Sequence, residues 1–183
     1  MIFSKTKLPG VFVIEPGRHD DDRGFFARTF CREEFVARGL NADVAQCNVS
    51  FNKRKGTLRG MHYQVPPSAE VKLVRCTAGA IFDVIIDLRE SSPTFRQHLA
   101  VELFAGTGKM LYVPEGFAHG FQTLVDDTEV FYQMSHPYAP ECARGVRWDD
   151  PAFGIDWPSA ERILLDRDRN YPDFATCHVE LGQ

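Results

Sequence analysis

Most of the chain alternates short apolar runs with turn-forming residues, and this pattern predicts β-strands. The runs are rich in Val, Ile, Leu and Phe, and Gly, Pro, Ser or Asp separate them. Short strands without helices between them favour a β-sandwich or barrel over a parallel sheet. The predicted strands are KLVRC (72–76), AIFDVIIDL (80–88), HLAVELF (98–104), KMLYVP (109–114), GFQTLV (120–125) and TEVFYQMS (128–135).

Three other segments depart from this strand pattern. CREEFVARGL (31–40) predicts a short helix, because it ends in the glycine that helix C-caps favour. RWDDPAFGIDWP (147–158) is rich in Pro, Asp and Trp and predicts an ordered loop. SAERILLDRDR (159–169) is compatible with a helical turn or a strand. Since no repeat or linker interrupts the chain, we expect residues 1–183 to form a single all-β domain.

Composition and net charge indicate which kinds of binding partner the protein can have. The 183 residues are 44% hydrophobic and 25% charged, which is ordinary for a globular protein. A net charge of −4 argues against a general nucleic-acid surface. We also expect no membrane partner, because no apolar run reaches the length of a membrane span. Five cysteines without CxxC spacing predict reduced thiols and a cytoplasmic location.

The segment LRGMHYQ (58–64) places Arg59 and His62 in a predicted strand. A core strand needs neither residue, and a charge in such a place requires a partner or a cavity. A lone histidine is more often structural than functional, but Lys72 and Asp83 lie in similarly apolar surroundings. Residues three apart point to opposite faces of a flat strand, so Arg59 and His62 can share a ligand only if the chain bulges. Gly60 is where a bulge costs least.

A metal site is the first chemistry to test, because jelly rolls of the cupin type commonly bind a metal through two histidine motifs. The second motif is nearly complete in GKMLYVPEGFAHGF (108–121). The first is broken, because the second histidine expected after His62 is missing. Two histidines and Glu70 are fewer well-placed ligands than transition metals usually take. The sequence therefore predicts a cupin fold without a metal or other cofactor.

The segments that carry a family resemblance are DDRGFF (21–26), QCNVS (46–50), GTLRGMHYQ (56–64), KLVRCTAGAIFDVIIDLRESSPTF (72–95), VPEGFAHGF (113–121), TEVFYQMS (128–135), RGVRWDDPAFGIDWP (144–158) and LLDRDRNYP (164–172). Together they resemble the dTDP-4-dehydrorhamnose 3,5-epimerase family, which are metal-free cupins of deoxysugar biosynthesis. The resemblance implies a cupin-type jelly-roll β-sandwich with short flanking helices. It also implies that His62 is the catalytic base, that Asp168 orients it, that Tyr132 is the acid and that Lys72 lies near the keto oxygen.

The resemblance also implies a set of binding residues. Those that hold the nucleotide diphosphate or the sugar would be Arg23, Gln46, Asn48, Arg59 and His119, with Tyr138 as an aromatic wall of the sugar site. Phe26 lies on the segment that, in the family, enters the partner subunit's pocket, so a homodimer is implied. Arg28, Cys47 and Ala143 depart from the family pattern at positions tied to substrate binding.

The expected function is epimerisation of a nucleotide-diphospho-4-keto-6-deoxyhexose, namely dTDP-4-dehydro-6-deoxyglucose to dTDP-4-dehydrorhamnose at C3 and C5. An imidazole base, a tyrosine acid and a lysine near the oxyanion suit proton transfer next to a carbonyl. One alternative is a 3-only or 5-only epimerase of a related dTDP, CDP or GDP sugar. A second is a non-catalytic sugar-nucleotide-binding cupin, and a third is a metal-dependent cupin.

Overall fold

The computed structural model describes residues 1–174, and most of its regular structure is β-strand. The strands are β1 (Ile2–Lys5), β2 (Phe12–Glu15), β3 (Arg18–Asp21), β4 (Gly24–Ala27), β5 (Gln46–Asn52), β6 (Leu58–Gln64), β7 (Lys72–Ala78), β8 (Ala80–Asp87), β9 (His98–Phe104), β10 (Met110–Val113), β11 (Phe117–Thr123), β12 (Thr128–Met134) and β13 (Ala143–Gly145). The helices are α1 (Arg32–Val36), α2 (Asp166–Arg169) and a 3-10 turn at Ala105–Thr107.

The strands form a sandwich of two antiparallel sheets. The six-stranded sheet has the order β1-β2-β10-β7-β12-β5, and the five-stranded sheet has the order β13-β6-β11-β8-β9. Among residues 1–174, strands β3 and β4 pair only with each other, as a separate hairpin. Neighbouring strands in a sheet are often distant in sequence, which is the connectivity of a jelly roll. The predicted all-β, cupin-type sandwich is confirmed.

The core explains why β8 is an almost unbroken apolar run. On one face of β8, Ile81 and Ile85 pack inside the sandwich. On the other face, Val84 and Ile86 belong to a second apolar cluster, to which the loop at 147–158 contributes Phe153 and Trp157. A strand covered on both faces cannot show the polar alternation of a half-exposed strand. One inward position of β8 is nevertheless a carboxylate, since Asp83 is fully buried there.

The structure contains the predicted helix and the predicted loop, but the helix is shorter than predicted. The predicted helix at 31–40 ends at Val36, three residues before Gly39, which has a φ of +71°. The segment 147–158 is a loop, as predicted, and the open choice at 159–169 is settled by α2 at its end. None of the helices within residues 1–174 is long and apolar enough to cross a membrane.

The predicted bulge is present in β6. His119 of β11 pairs with His62 and Phe121 pairs with Arg59, so two residues of β6 lie opposite Gly120 alone. Gly60 has a φ of +133°, and a Cβ there would lie 2.5 Å from the Cα of Gly120. Only glycine adopts that conformation and that approach without strain. The extra residue brings Arg59 and His62 to the same face, as the sequence predicted.

Candidate active site

A cavity of about 330 Å³ opens between the two sheets and is closed on one side by α2. Its lining combines β5, β7 and β12 of one sheet with β6 and β11 of the other. Seven of the predicted site residues line it: Asn48, Arg59, His62, Lys72, His119, Tyr132 and Asp168. The structure therefore gathers into one cavity residues that span 120 positions of the chain.

His62 and Asp168, which we call the open pair, share a short hydrogen bond. Nε2 of His62 lies 2.7 Å from Oδ1 of Asp168, and the imidazole is 32% exposed. A carboxylate accepts only, so we assign the proton to Nε2, and Nδ1 is left as the basic nitrogen. The other carboxylate oxygen of Asp168 accepts the backbone N–H of Gly60 at 3.3 Å. The bulge glycine thus also anchors the aspartate.

The charge on Asp168 is maintained although the residue is buried. Burial raises the pKa of Asp168, but the hydrogen bond and positive charge of His62 lower it by more, with help from Gly60 and Arg167. The net result is a pKa below the ordinary value for a carboxyl group. Asp168 therefore stays ionised at neutral pH, and its negative charge lies where it can stabilise a positive charge on His62.

His119 and Asp83, which we call the buried pair, repeat this arrangement inside the sandwich. Nε2 of His119 lies 2.7 Å from Oδ1 of Asp83, and both side chains are almost completely buried. His119 is the direct cross-strand neighbour of His62. Within residues 1–174, Oδ2 of Asp83 has no hydrogen-bond partner. Asp83 is a site residue that the sequence indicated only as a charge in an apolar strand.

Lys72 is held by Glu70 at the edge of the same cavity. The Nζ of Lys72 lies 3.1 Å from Oε1 of Glu70 and donates to the carbonyl of His62 at 3.3 Å. The second oxygen of Glu70 accepts from the amide of Gln64 at 3.1 Å. Glu70 is therefore committed to a lysine and an amide. The donor set does not fit a metal site, and residues 1–174 contain no cluster of three His, Cys, Asp or Glu that could hold a metal.

Tyr132 enters the cavity from the opposite sheet to His62. Its ring packs edge-to-face on His119, with centroids 6.2 Å apart, and also contacts Phe121. Burial and the nearby charge of Asp83 raise the pKa of the phenol well above its ordinary value, while the Ser50 hydroxyl and the Arg59 charge act against that rise. Tyr132 is therefore a neutral phenol at physiological pH and carries a proton that it can donate.

The neighbouring polar residues are held by contacts with β5, β12 and the loop that follows β12. Nε of Arg59 donates to Asn52 at 2.7 Å, and Asn52 is itself buried. The amide of Asn48 lies 3.3 Å from the sulfur of Met134. Gln46 acts further out, where its side-chain oxygen accepts the backbone N–H of Tyr138 at 3.0 Å.

A second cavity, of about 520 Å³, adjoins the first and shares His62, Lys72 and Arg167 with it. Tyr138 lines this second cavity together with Ala143 and Tyr171. Arg167 stands between the two spaces, with its guanidinium 3.4 Å from Asp168 and 3.2 Å from Nε2 of His62. Arg167 and Tyr171 were not singled out from the sequence, because each resembles an ordinary surface residue there.

Four predicted binding residues lie outside both cavities of this chain: Gln46, whose contact with Tyr138 is given above, and Arg23, Phe26 and Arg28. Arg23 is highly exposed and pairs with Asp21 at 2.6 Å, and Phe26 of the same hairpin is 74% exposed. Arg28 follows the hairpin and pairs with Glu34 at 3.4 Å. Of the residues that depart from the family pattern, only Ala143 lines a cavity described here.

The cavity brings a histidine–aspartate pair, a tyrosine and a lysine together inside a cupin-type sandwich, and the comparisons with known proteins identify the chain as a sugar-nucleotide isomerase. The sequence model of the dTDP-4-dehydrorhamnose 3,5-epimerase family matches residues 5–176. The chain belongs to that family. The predicted resemblance is confirmed.

Individual relatives agree with this family assignment. A dTDP-4-dehydrorhamnose 3,5-epimerase from Sinorhizobium fredii is 42% identical over 180 residues, which cover 98% of this chain and 92% of that protein. The crystal structure of a Bacillus anthracis enzyme of the same name, with TDP and PPi bound, is 40% identical with a TM-score of 0.91 and covers 94% of this chain and 98% of its own. ChmJ, a 3'-monoepimerase from Streptomyces bikiniensis in complex with dTDP-quinovose, is 37% identical with a TM-score of 0.89, covering 97% and 89%.

Proposed function

We propose that the protein converts dTDP-4-dehydro-6-deoxyglucose to dTDP-4-dehydrorhamnose by inverting C3 and C5. The observation that carries the proposal is that a histidine base and a tyrosine acid line one cavity from opposite sheets. An epimerase must remove a proton from one face of a carbon and return one to the other face. We assign these two tasks to His62 on β6 and Tyr132 on β12.

The proposed reaction begins with proton removal by His62. The 4-keto group acidifies the C–H bonds at C3 and C5, and Nδ1 of His62 takes the proton as electron density moves to the keto oxygen. Asp168 stabilises the resulting imidazolium through Nε2–H. The ammonium group of Lys72 stabilises the enolate oxygen, since a positive charge in a water-poor site favours developing negative charge.

The reaction ends when Tyr132 donates its proton to the carbanion carbon from the other face. The high pKa of its phenol ensures that this proton is present at neutral pH. Arg59, His119 and Asn48 surround the same cavity, and the guanidinium of Arg59 and the amide of Asn48 supply hydrogen-bond donors. We assign to them the binding of the sugar and the diphosphate, because donors in that number suit an anionic substrate.

We further propose that the active form is a homodimer in which the hairpin β3–β4 of one copy enters the site of the other. The support is that Arg23 and Phe26 are exposed on that hairpin and lie away from the cavities of their own chain. A hairpin that pairs with no other strand of the described chain and exposes two phenylalanines is a surface suited to a partner. Sedimentation would show a dimer, and Phe26→Ala would weaken it.

Proton NMR in D2O tests the function. Incubation with dTDP-4-keto-6-deoxyglucose should introduce deuterium at C3 and at C5, and parallel incubations with CDP and GDP analogues test the nucleotide. Deuterium at C3 alone would favour a 3-epimerase, an alternative that the similarity to ChmJ supports. Exchange only with another nucleotide would overturn the dTDP assignment. The absence of exchange with all of these sugars would overturn the proposed enzymatic function.

A further inference from the structure

Tyr171 packs against the imidazole of His62 on the side that faces the second cavity. The two ring centroids are 6.3 Å apart and the planes are inclined by 69°, which is an edge-to-face contact. Tyr171 follows α2, three residues after Asp168, and is half-buried. Burial raises the pKa of its phenol, so the ring stays neutral beside the base.

The space for this ring exists because residue 145 is glycine. Gly145 on β13 is the direct cross-strand partner of His62 on β6. A Cβ at position 145 would lie only 2.2 Å from Cζ and 2.6 Å from Oη of Tyr171. Side chains of directly opposed residues stand about 5 Å apart, so a larger residue at 145 would take the place beside His62 that Tyr171 occupies.

His62 is therefore held from three directions. Asp168 binds Nε2, His119 is the cross-strand neighbour on β11, and Tyr171 fills the position beside β13. A hydrogen bond at one nitrogen fixes that atom but lets the ring tilt about the bond. An aromatic edge against the imidazole limits the tilt and so fixes the direction in which Nδ1 points.

We propose that Tyr171 is a positioning residue for His62, and that the absence of a side chain at Gly145 leaves the space that the Tyr171 ring fills. The inference rests on the proposed function, since it concerns the base of that reaction. Tyr171 acts through ring packing, so its hydroxyl is dispensable. A misplacement of about 1 Å in a reacting group can cost about 10²-fold in rate, which sets the scale of the effect.

A double-mutant cycle of Tyr171→Ala, Gly145→Ala and the combined variant tests this proposal, with deuterium exchange at C3 and C5 as the readout. Each single variant should lower kcat by about 10- to 100-fold while KM changes by less than about threefold. In the Tyr171→Ala background, Gly145→Ala should cost less than about twofold more, because the ring that it displaces is already absent. Tyr171→Phe should retain kcat within about threefold of the original chain.

Two matched controls separate positioning from damage to the fold. Gly106→Ala adds a methyl group where no non-neighbouring atom of residues 1–174 lies within 4 Å, and Tyr112→Phe removes a phenol that bonds to Asn41 outside both cavities. Both controls should leave kcat unchanged, and thermal melting should show that the Tyr171 and Gly145 variants are folded.

Three results would overturn the inference: normal kcat in Tyr171→Ala, losses that multiply in the combined variant, or a loss in Tyr171→Phe as large as in Tyr171→Ala. Failure of the original chain to exchange deuterium would instead overturn the proposed function.

Discussion

The two histidine–aspartate pairs of the site use the same bond in different surroundings. In each pair, Nε2 of the imidazole lies 2.7 Å from Oδ1 of the aspartate. The imidazole of the open pair, His62, is 32% exposed, whereas His119 of the buried pair is 5% exposed. Their aspartates also differ, because Asp168 has a backbone partner for its second oxygen and Asp83 has none within residues 1–174.

This difference indicates that an identical bond can serve two purposes. A general base must reach the substrate and change its protonation state, which requires access to the cavity and a stabilised imidazolium. The open pair has both features. The buried pair lies beside Tyr132 and is enclosed by the core, so its aspartate fixes the tautomer and direction of a hydrogen-bonding group. We therefore expect the open pair to control the rate, and the buried pair to control binding and stability.

Replacing each histidine by alanine should give the largest contrast. His62→Ala should lower deuterium exchange by about 10²- to 10⁴-fold, which is the usual contribution of a general base. Its melting temperature should change little, because Asp168 keeps Gly60 and Arg167 as partners. His119→Ala should lower stability by about 1–3 kcal/mol, since Asp83 is left buried without a donor.

Exchange kinetics and thermal unfolding of both alanine variants measure this contrast. Binding of dTDP serves as the control: His62→Ala should bind it normally, and His119→Ala should bind it more weakly. Equal losses of rate and of melting temperature in the two variants would contradict the division of roles.

Strands β6 to β12 of the sandwich were predictable because their residues are covered on both faces or alternate clearly, whereas β1, β2, β5 and β13 were not predicted. HLAVELF matches β9 at both ends, and TEVFYQMS exceeds β12 by one residue. The hairpin strand β3, with the sequence RHDD, has no apolar residue, so no pattern could indicate it. The start of β11 was also missed, because Phe117 and Ala118 follow a glycine that reads as a turn.

The site was predictable in its residues and not in its contacts. His62, Lys72, Tyr132 and Asp168 were assigned through the family resemblance, since each has an ordinary structural explanation when taken alone. The bond between His62 and Asp168 joins residues 106 positions apart, and no local pattern encodes such a contact. Only the bulge at Gly60 followed from local physics, because two functional residues three apart in a strand require one.

Asp87 is a third buried aspartate to compare with Asp83 and Asp168. Both of its carboxylate oxygens accept hydrogen bonds, so it tests how a fully bonded carboxylate affects stability in acid. Burial raises the pKa of Asp87, but bonds from Arg89, Ser92 and Thr94 lower it from 3.8 to about 2. A lowered pKa means that the stabilisation is present above the unfolded pKa and is lost as the pH falls from about 4 to about 2. At 1.36 kcal/mol per pKa unit, Asp87 contributes about 2 kcal/mol at neutral pH.

Asp87→Asn should therefore lower the free energy of unfolding by about 2 kcal/mol at pH 6 and by little at pH 2. Asp168→Asn should change it in the same direction, because the pKa of Asp168 is also lowered. Only Asp168→Asn should also reduce deuterium exchange, because Asp87 lies outside both cavities. Urea unfolding between pH 2 and 7 measures the first effect. If Asp87→Asn did not alter how the free energy of unfolding changes with pH, the Asp87 carboxylate would not stabilise the fold.

The smallest expected effect concerns two positions that depart from the family pattern. Cys47 lies on β5 between Gln46 and Asn48, is exposed, and lines neither cavity. Ala143 lines the second cavity, beside Tyr138. Cys47→Ser should leave KM within about twofold, whereas Ala143→Glu should raise it about 3- to 10-fold, since an added carboxylate repels a diphosphate.

The KM values of the two variants for the dTDP sugar test whether substrate specificity depends on the second cavity, where Ala143 lies, or on β5, where Cys47 lies. Ala143→Gln is the control, because it adds similar volume without charge. If Cys47→Ser raised KM as much as Ala143→Glu, the outer face of β5 would have to take part in binding. Because Cys47 lines neither cavity of its own chain, the result would place a partner subunit against it.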